Sequence, residues 1–183
     1  ICGMSMGGMI AQALAIRYPE RVLSLISIYS TTGNPRLPQP KPEIMGLLLT
    51  PPPKERQPFI EFNVNLFKTI TGPRFGMDEQ WVRQIMGRAY DRSFYPQGEA
   101  RQLVAILTQP NRQPALKGVK VPTLIVHGDA DPLVSVEGGK DAAEAVPGAQ
   151  LKIIEGMGHD LPHGEAWAQI AKHIIAHTRK ARG

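Results

Sequence analysis

The chain has 183 residues, 42% hydrophobic and 20% charged, the composition of a globular domain with a sizeable core. Its formal charge is +5, but the basic residues are scattered apart from Arg179, Lys180 and Arg182 at the tail, and no aromatics interleave them, which argues against a nucleic-acid surface. No apolar stretch is long enough to span a membrane, and Cys2, the only cysteine, excludes an internal disulfide.

In chain order, the first feature is Gly3-Met4-Ser5-Met6-Gly7. This G-x-S-x-G pattern reads as a tight strand-to-helix corner with a serine at its tip, where glycines allow close backbone approach. The feeding strand is expected just before Gly3. Met6 to Tyr18 reads as a helix that is apolar on most sides, and Pro19 stops it. Val22 to Tyr29 is a nearly continuous apolar run, as expected of a strand covered on both faces.

Residues 35–118 break this rhythm. A proline-rich linker leads into helical patterns, with Phe59, Phe62, Leu66 and Phe67 on one face. Trp81, Val82, Ile85 and Met86 form a second apolar group, and Leu103, Ile106 and Leu107 a third. A helical insertion between two strands reads as a cap, and its aromatic faces are expected to serve packing more often than substrate contact. Thr123 to Val126 is the next strand, followed by a helix around Glu137 to Val146. Leu151 to Ile154 is a third strand, and Lys152 within it suits a place near a sheet edge. Trp167, Ile170, Ala171, Ile174 and Ile175 then form one stripe of a closing amphipathic helix. Strands alternating with helices predict an α/β fold with a parallel sheet, built from residues 1–34 and 119–183.

A reactive serine needs a base, and the base needs an orienting carboxylate. The ends of the later strands offer both, in His127-Gly128-Asp129-Ala130-Asp131-Pro132 and in Glu155-Gly156-Met157-Gly158-His159-Asp160. Loops at the carboxyl ends of parallel strands are where such folds place their sites. His127 reads as a structural hydrogen-bonder and His163 as an exposed turn residue. Asp160 reads as facing solvent or bracing its turn. His173 and His177 are spaced i, i+4, which can hold a metal, but no third ligand is evident and no metal is assigned.

Together GMSMGG, HGDADPLV and GMGH resemble the α/β-hydrolase superfamily over the whole chain except the poorly diagnostic cap. The stretch from GMGHDLP to the closing AHTR is similar to the aclacinomycin methylesterase-like esterases. The resemblance implies Ser5 as nucleophile, His159 as general base and Asp131 as orienting acid, with Asp129 the rival at the variable position. It also implies the Met6 backbone N–H as an oxyanion-hole donor. Epoxide hydrolases and haloalkane dehalogenases of the superfamily are similar in cap and loops but use an aspartate nucleophile, so a serine implies acyl transfer. The implied activity is hydrolysis of a small-molecule carboxylic ester without metal or cofactor, with a carbon–carbon bond hydrolase or lactonase as the alternative.

The superfamily's sheet begins with strands upstream of the elbow, and a loop among them carries the second oxyanion donor. The expectation is therefore a C-terminal portion of a longer hydrolase. Loss of one such donor lowers rates by on the order of a hundred- to a thousand-fold. An incomplete domain with an open sheet edge is also expected to self-associate, which is the non-catalytic alternative. The lone cysteine favours a cytoplasmic location.

Overall fold

A computed structural model describes residues 1–160 and 163–181. The described sheet has four strands, β1 (Cys2–Met4), β2 (Leu25–Ile28), β3 (Thr123–Gly128) and β4 (Gln150–Ile154). They lie in the order β1-β2-β3-β4, and every pairing is parallel. The register sets Cys2 against Ile26, Leu25 against Thr123 and Leu124 against Gln150. The helices are α1 (Met6–Arg17), α2 (Pro42–Leu49), α3 (Arg56–Ile70), α4 (Glu79–Arg92), α5 (Pro96–Leu107), α6 (Gln113–Leu116), α7 (Val136–Ala145) and α8 (Gly164–Lys180). The tail residue Arg182 lies outside the described residues, as do Leu161 and Pro162 of the GMGHDLP stretch.

The alternation of side chains along a strand separates two cores. Ile26, Ile28, Leu124 and Val126 point to the α8 side, where they pack with Ala166, Ile170 and Met157. Leu25 points to the other side and packs with Ala11 and Ala15 of α1, Leu116 of α6 and Ala145 of α7. Both faces of β2 and β3 are thus covered, which is why their sequences are continuous apolar runs. β4 is an edge strand with Lys152 and Ile153 exposed, as its interrupted pattern indicates.

Two sequence readings need correction. The run from Val22 to Tyr29 yields a strand of only four residues. Val22 instead closes a 3-10 turn through its N–H to Pro19 O (3.2 Å), Leu23 is 81% exposed, and Tyr29 leaves extended backbone at φ 35°. α1 is covered less fully than an all-round apolar helix implies, since Ile10 is 51% exposed. Its buried face includes a glutamine, Gln12, which donates to Ser27 Oγ at 3.2 Å.

Helices α2 to α5 all fall between β2 and β3. Phe59, Ile60, Val64 and Val82 form a third core, with Phe67, Trp81, Tyr90 and Phe94 packed on it. The aromatic faces of α3 and α4 therefore satisfy each other. Among the described residues no helix is long and apolar enough to cross a membrane.

Candidate active site

Ser5 sits between β1 and α1 with φ 51° and ψ −121°. Such backbone is sparsely populated for a residue with a Cβ and costs about 1–3 kcal/mol, so the surroundings must impose it. They do so through four contacts. Ser5 N donates to Ile28 O (2.9 Å), while its carbonyl accepts Gly8 N (2.9 Å), Met9 N (3.3 Å) and Ser30 Oγ (2.8 Å). The corner is tight enough that a Cβ on Gly3 would lie 2.0 Å from Gly7 O. A Cβ on Gly7 itself would meet nothing within 4 Å. Close approach thus demands glycine at position 3 and not at position 7, contrary to the symmetric reading of the motif. Met6 opens α1, where a backbone N–H has no partner within the helix.

The loops that follow β3 and β4 bring an acid and a base together. His159 Nδ1 lies 2.7 Å from Asp131 Oδ2, and both residues are buried. The other carboxylate oxygen of Asp131 accepts Leu133 N and Val134 N, both at 2.8 Å. His127 Nε2 stands 3.6 Å from Asp131 Oδ2 but 2.8 Å from Val134 O, so we assign its N–H to the carbonyl. Burial alone would raise the Asp131 carboxyl. The nearby His127 ring, the His159 hydrogen bond and charge, and the Val134 N–H outweigh it and hold the pKa at about 2. Asp129 makes no hydrogen bond to His159; its Oδ1 accepts Gly156 N at 2.6 Å.

His159 is linked to the elbow through Tyr29. The two rings lie 4.6 Å apart, and the Tyr29 hydroxyl donates to Met4 Sδ at 3.0 Å, one residue before Ser5. Burial, and then the charges of Asp131 and Asp160, push the Tyr29 hydroxyl above its ordinary pKa, so it remains a donor. Among the described residues, no hydrogen bond joins the Ser5 hydroxyl to His159. Such contacts commonly tighten only in the substrate complex. A cavity of about 460 Å³ opens beside Ser5, walled by Met9, Leu37, Met45, Ile106 and Val134 among others. Neither His159 nor Asp131 is part of that wall.

The alpha/beta hydrolase fold family matches residues 1–166. The chain belongs to that family. Rhodomycin D methylesterase DauP of Streptomyces sp. (strain C5) is 28% identical over 99% of the chain and 67% of its own length. The 2-hydroxy-6-oxononadienedioate/2-hydroxy-6-oxononatrienedioate hydrolase of Escherichia coli (strain K12) is 28% identical over 96% of the chain and 62% of its own. A putative lipase of Acinetobacter baumannii AYE shares the fold with TM-score 0.72 and 23% identity, over 100% of the chain and 60% of the lipase. The chain therefore spans about two thirds or less of these proteins' lengths. These comparisons place it in a family of hydrolases.

Within this α/β-hydrolase frame, three residues make contacts beyond the sequence reading. Asp160 does not face solvent but braces its turn, the other of its two readings, and it also reaches Gly72. It is 8% exposed, and its two oxygens accept Gly72 N (2.8 Å) and Gly158 N (3.0 Å). His159 N in turn donates to Ile70 O at 2.8 Å. Gly72 and Gly158 approach so closely that a Cβ on either would lie within 2.3 Å of the other's N. The segment after α3 is thus fastened to the base loop, which no sequence signal links to it. Burial pushes the Asp160 carboxyl up, partly offset by the two N–H bonds.

Arg112 is the second, 7% exposed, with Nε donating to Gln12 Oε1 (3.1 Å) and Nη2 to Thr31 O (2.8 Å). Burial lowers its pKa to about 10. Gln12 is the third, and a lone glutamine in an apolar helix was the cue for it. The other histidines lie away from Ser5. His163 stacks on Trp81 at 4.2 Å, with Nε2 3.3 Å from Asp78. His177 is buried on α8, and burial lowers its pKa. Among the described residues, no third His, Cys, Asp or Glu joins His173 and His177.

Proposed function

We propose that this α/β-hydrolase cleaves a carboxylic ester through an acyl-Ser5 intermediate. The observation that carries the reading is the Ser5 backbone, a non-glycine residue held at φ 51° at a strand–helix corner that opens on a cavity. In this account Asp131 holds the His159 Nδ1–H, which leaves Nε2 free to take the Ser5 hydroxyl proton. Ser5 Oγ attacks the ester carbonyl, and the Met6 N–H stabilises the developing oxyanion. His159 passes the proton to the departing alcohol, then activates the water that releases the acid and regenerates Ser5. Of residues 35–118, helices α2 to α5 serve as a cap over the site, whereas α6 packs into the sheet core through Leu116. The methylesterase relative supports the ester reading.

A carbon–carbon bond hydrolase on the same residues is the second reading, supported by the dienedioate hydrolase relative. The test is turnover of p-nitrophenyl and methyl esters by the 183-residue chain and by Ser5→Ala and His159→Ala. Hydrolysis lost in both variants is expected. Hydrolysis that survives Ser5→Ala sinks the proposal.

A further inference from the structure

The cavity beside Ser5 carries information about charge. Among the described residues, none of those lining it is Asp, Glu, Lys, Arg or His. Its walls include the aliphatic side chains of Leu37, of Met45 and Leu48 in α2, and of Leu103, Ile106 and Leu107 in α5. Its volume of about 460 Å³ has room for roughly fifteen non-hydrogen atoms at about 30 Å³ each, water's share of the liquid.

Two of the three side-chain amides in the wall are already committed, and the third, Gln109, makes no side-chain hydrogen bond among the described residues. Asn34 Nδ2 donates to Asp141 Oδ1 (3.0 Å) and Gln39 Nε2 to Leu37 O (3.1 Å). Asp141, held also by Thr32 Oγ1 at 2.5 Å, puts a negative charge directly behind the Asn34 wall. The buried cation Arg112 lines no part of the cavity, and its guanidinium is held behind the wall by Gln12 Oε1 and by the carbonyl of the lining residue Thr31. A carboxylate placed here would lose its hydration and, beyond the single Gln109 amide, gain no direct cation or uncommitted side-chain N–H donor, which is unfavourable.

We propose that this cavity selects the larger arm of an uncharged, mainly apolar ester and rejects an arm that ends in a carboxylate. The inference rests on the ester reading above and deepens it. It also separates that reading from the carbon–carbon alternative, since a dienedioate carries two carboxylates.

The test uses matched ligands and a chain that cannot turn them over. Dimethyl suberate and monomethyl suberate have the same carbon chain and differ in one terminal charge at pH 8. Titrated calorimetrically into the Ser5→Ala chain, the diester is expected to bind at least about a hundredfold more tightly than the anion. In a Ser5→Ala, Leu103→Arg double variant, the new cation is expected to narrow that ratio about tenfold. Equal affinities, tighter binding of the anion, no binding of either ligand, or a ratio unmoved by the arginine would each overturn the proposal. The two readings fail separately. Selective binding without Ser5-dependent turnover removes the catalytic reading and leaves the selectivity. Ser5-dependent turnover with no discrimination against the anion does the reverse.

Discussion

Replacing Asp160 should loosen the base loop from the segment after α3, and the structure sets the size of the effect. In Asp160→Ala, the buried N–H groups of Gly72 and Gly158 lose their acceptors, at 2.8 and 3.0 Å. Each unsatisfied buried N–H costs about 1–3 kcal/mol, giving about 2–6 kcal/mol in all. The carboxylate is itself disfavoured by burial, and removing it returns part of that sum, so about 2–4 kcal/mol is expected. Asp160→Asn keeps one acceptor and should lose roughly half as much. If the loss is local, amide exchange at Gly72 and Gly158 rises about 30- to 1,000-fold, while the Ile26 and Val126 amides in the sheet hold their protection. If it is global, the thermal midpoint falls by roughly 4–16 °C, at about 2–4 °C per kcal/mol for a chain of this size. Exchange and urea midpoint both unchanged in Asp160→Ala would refute the reasoning.

Two further predictions follow from the site. The Asp131 carboxyl is held at about 2, against about 3.9 in an unfolded chain, so it binds its proton less readily when folded. The stability it contributes is essentially complete above about pH 5 and is mostly lost as pH falls to about 2, amounting to about 2–3 kcal/mol. Urea titrations at pH 5 and pH 2 should show that increment in the unsubstituted chain and not in Asp131→Asn; an equal fall in both would contradict it. At the elbow, Gly3→Ala forces a Cβ to 2.0 Å from Gly7 O and should destabilise by more than about 3 kcal/mol, as overpacking does. Gly7→Ala meets open space and, in the first turn of a helix, should be neutral or stabilising by up to about 1 kcal/mol. Equal effects by thermal denaturation would undo the asymmetry assigned to the motif.

The parts of this fold that could be read from sequence are those with a strong local cause. The two-sided burial of Leu25–Ile28 and Thr123–Val126 wrote itself as apolar runs, and Lys152 marked an edge strand. The corner at Ser5 was legible because glycine at position 3 has a steric reason. Side chains whose partners lie far along the chain were not legible. Asp160 and Gly72 are 88 residues apart, and Arg112 and Gln12 are 100 apart. Asp129 and Asp131 share one loop; the resemblance pointed to Asp131, and the geometry adds that Gly156 N occupies Asp129 while His159 meets Asp131. The end of β2 was missed because Val22-Leu23 is apolar yet belongs to a turn.

The most direct test of the account is the intact mass of the 183-residue chain after exposure to a fluorophosphonate, with Ser5→Ala alongside. One covalent adduct per chain is expected, absent from Ser5→Ala and reduced when His159 is replaced. An adduct that persists in Ser5→Ala, or no adduct on a folded chain, would contradict the assignment of Ser5 as an activated nucleophile in this structure.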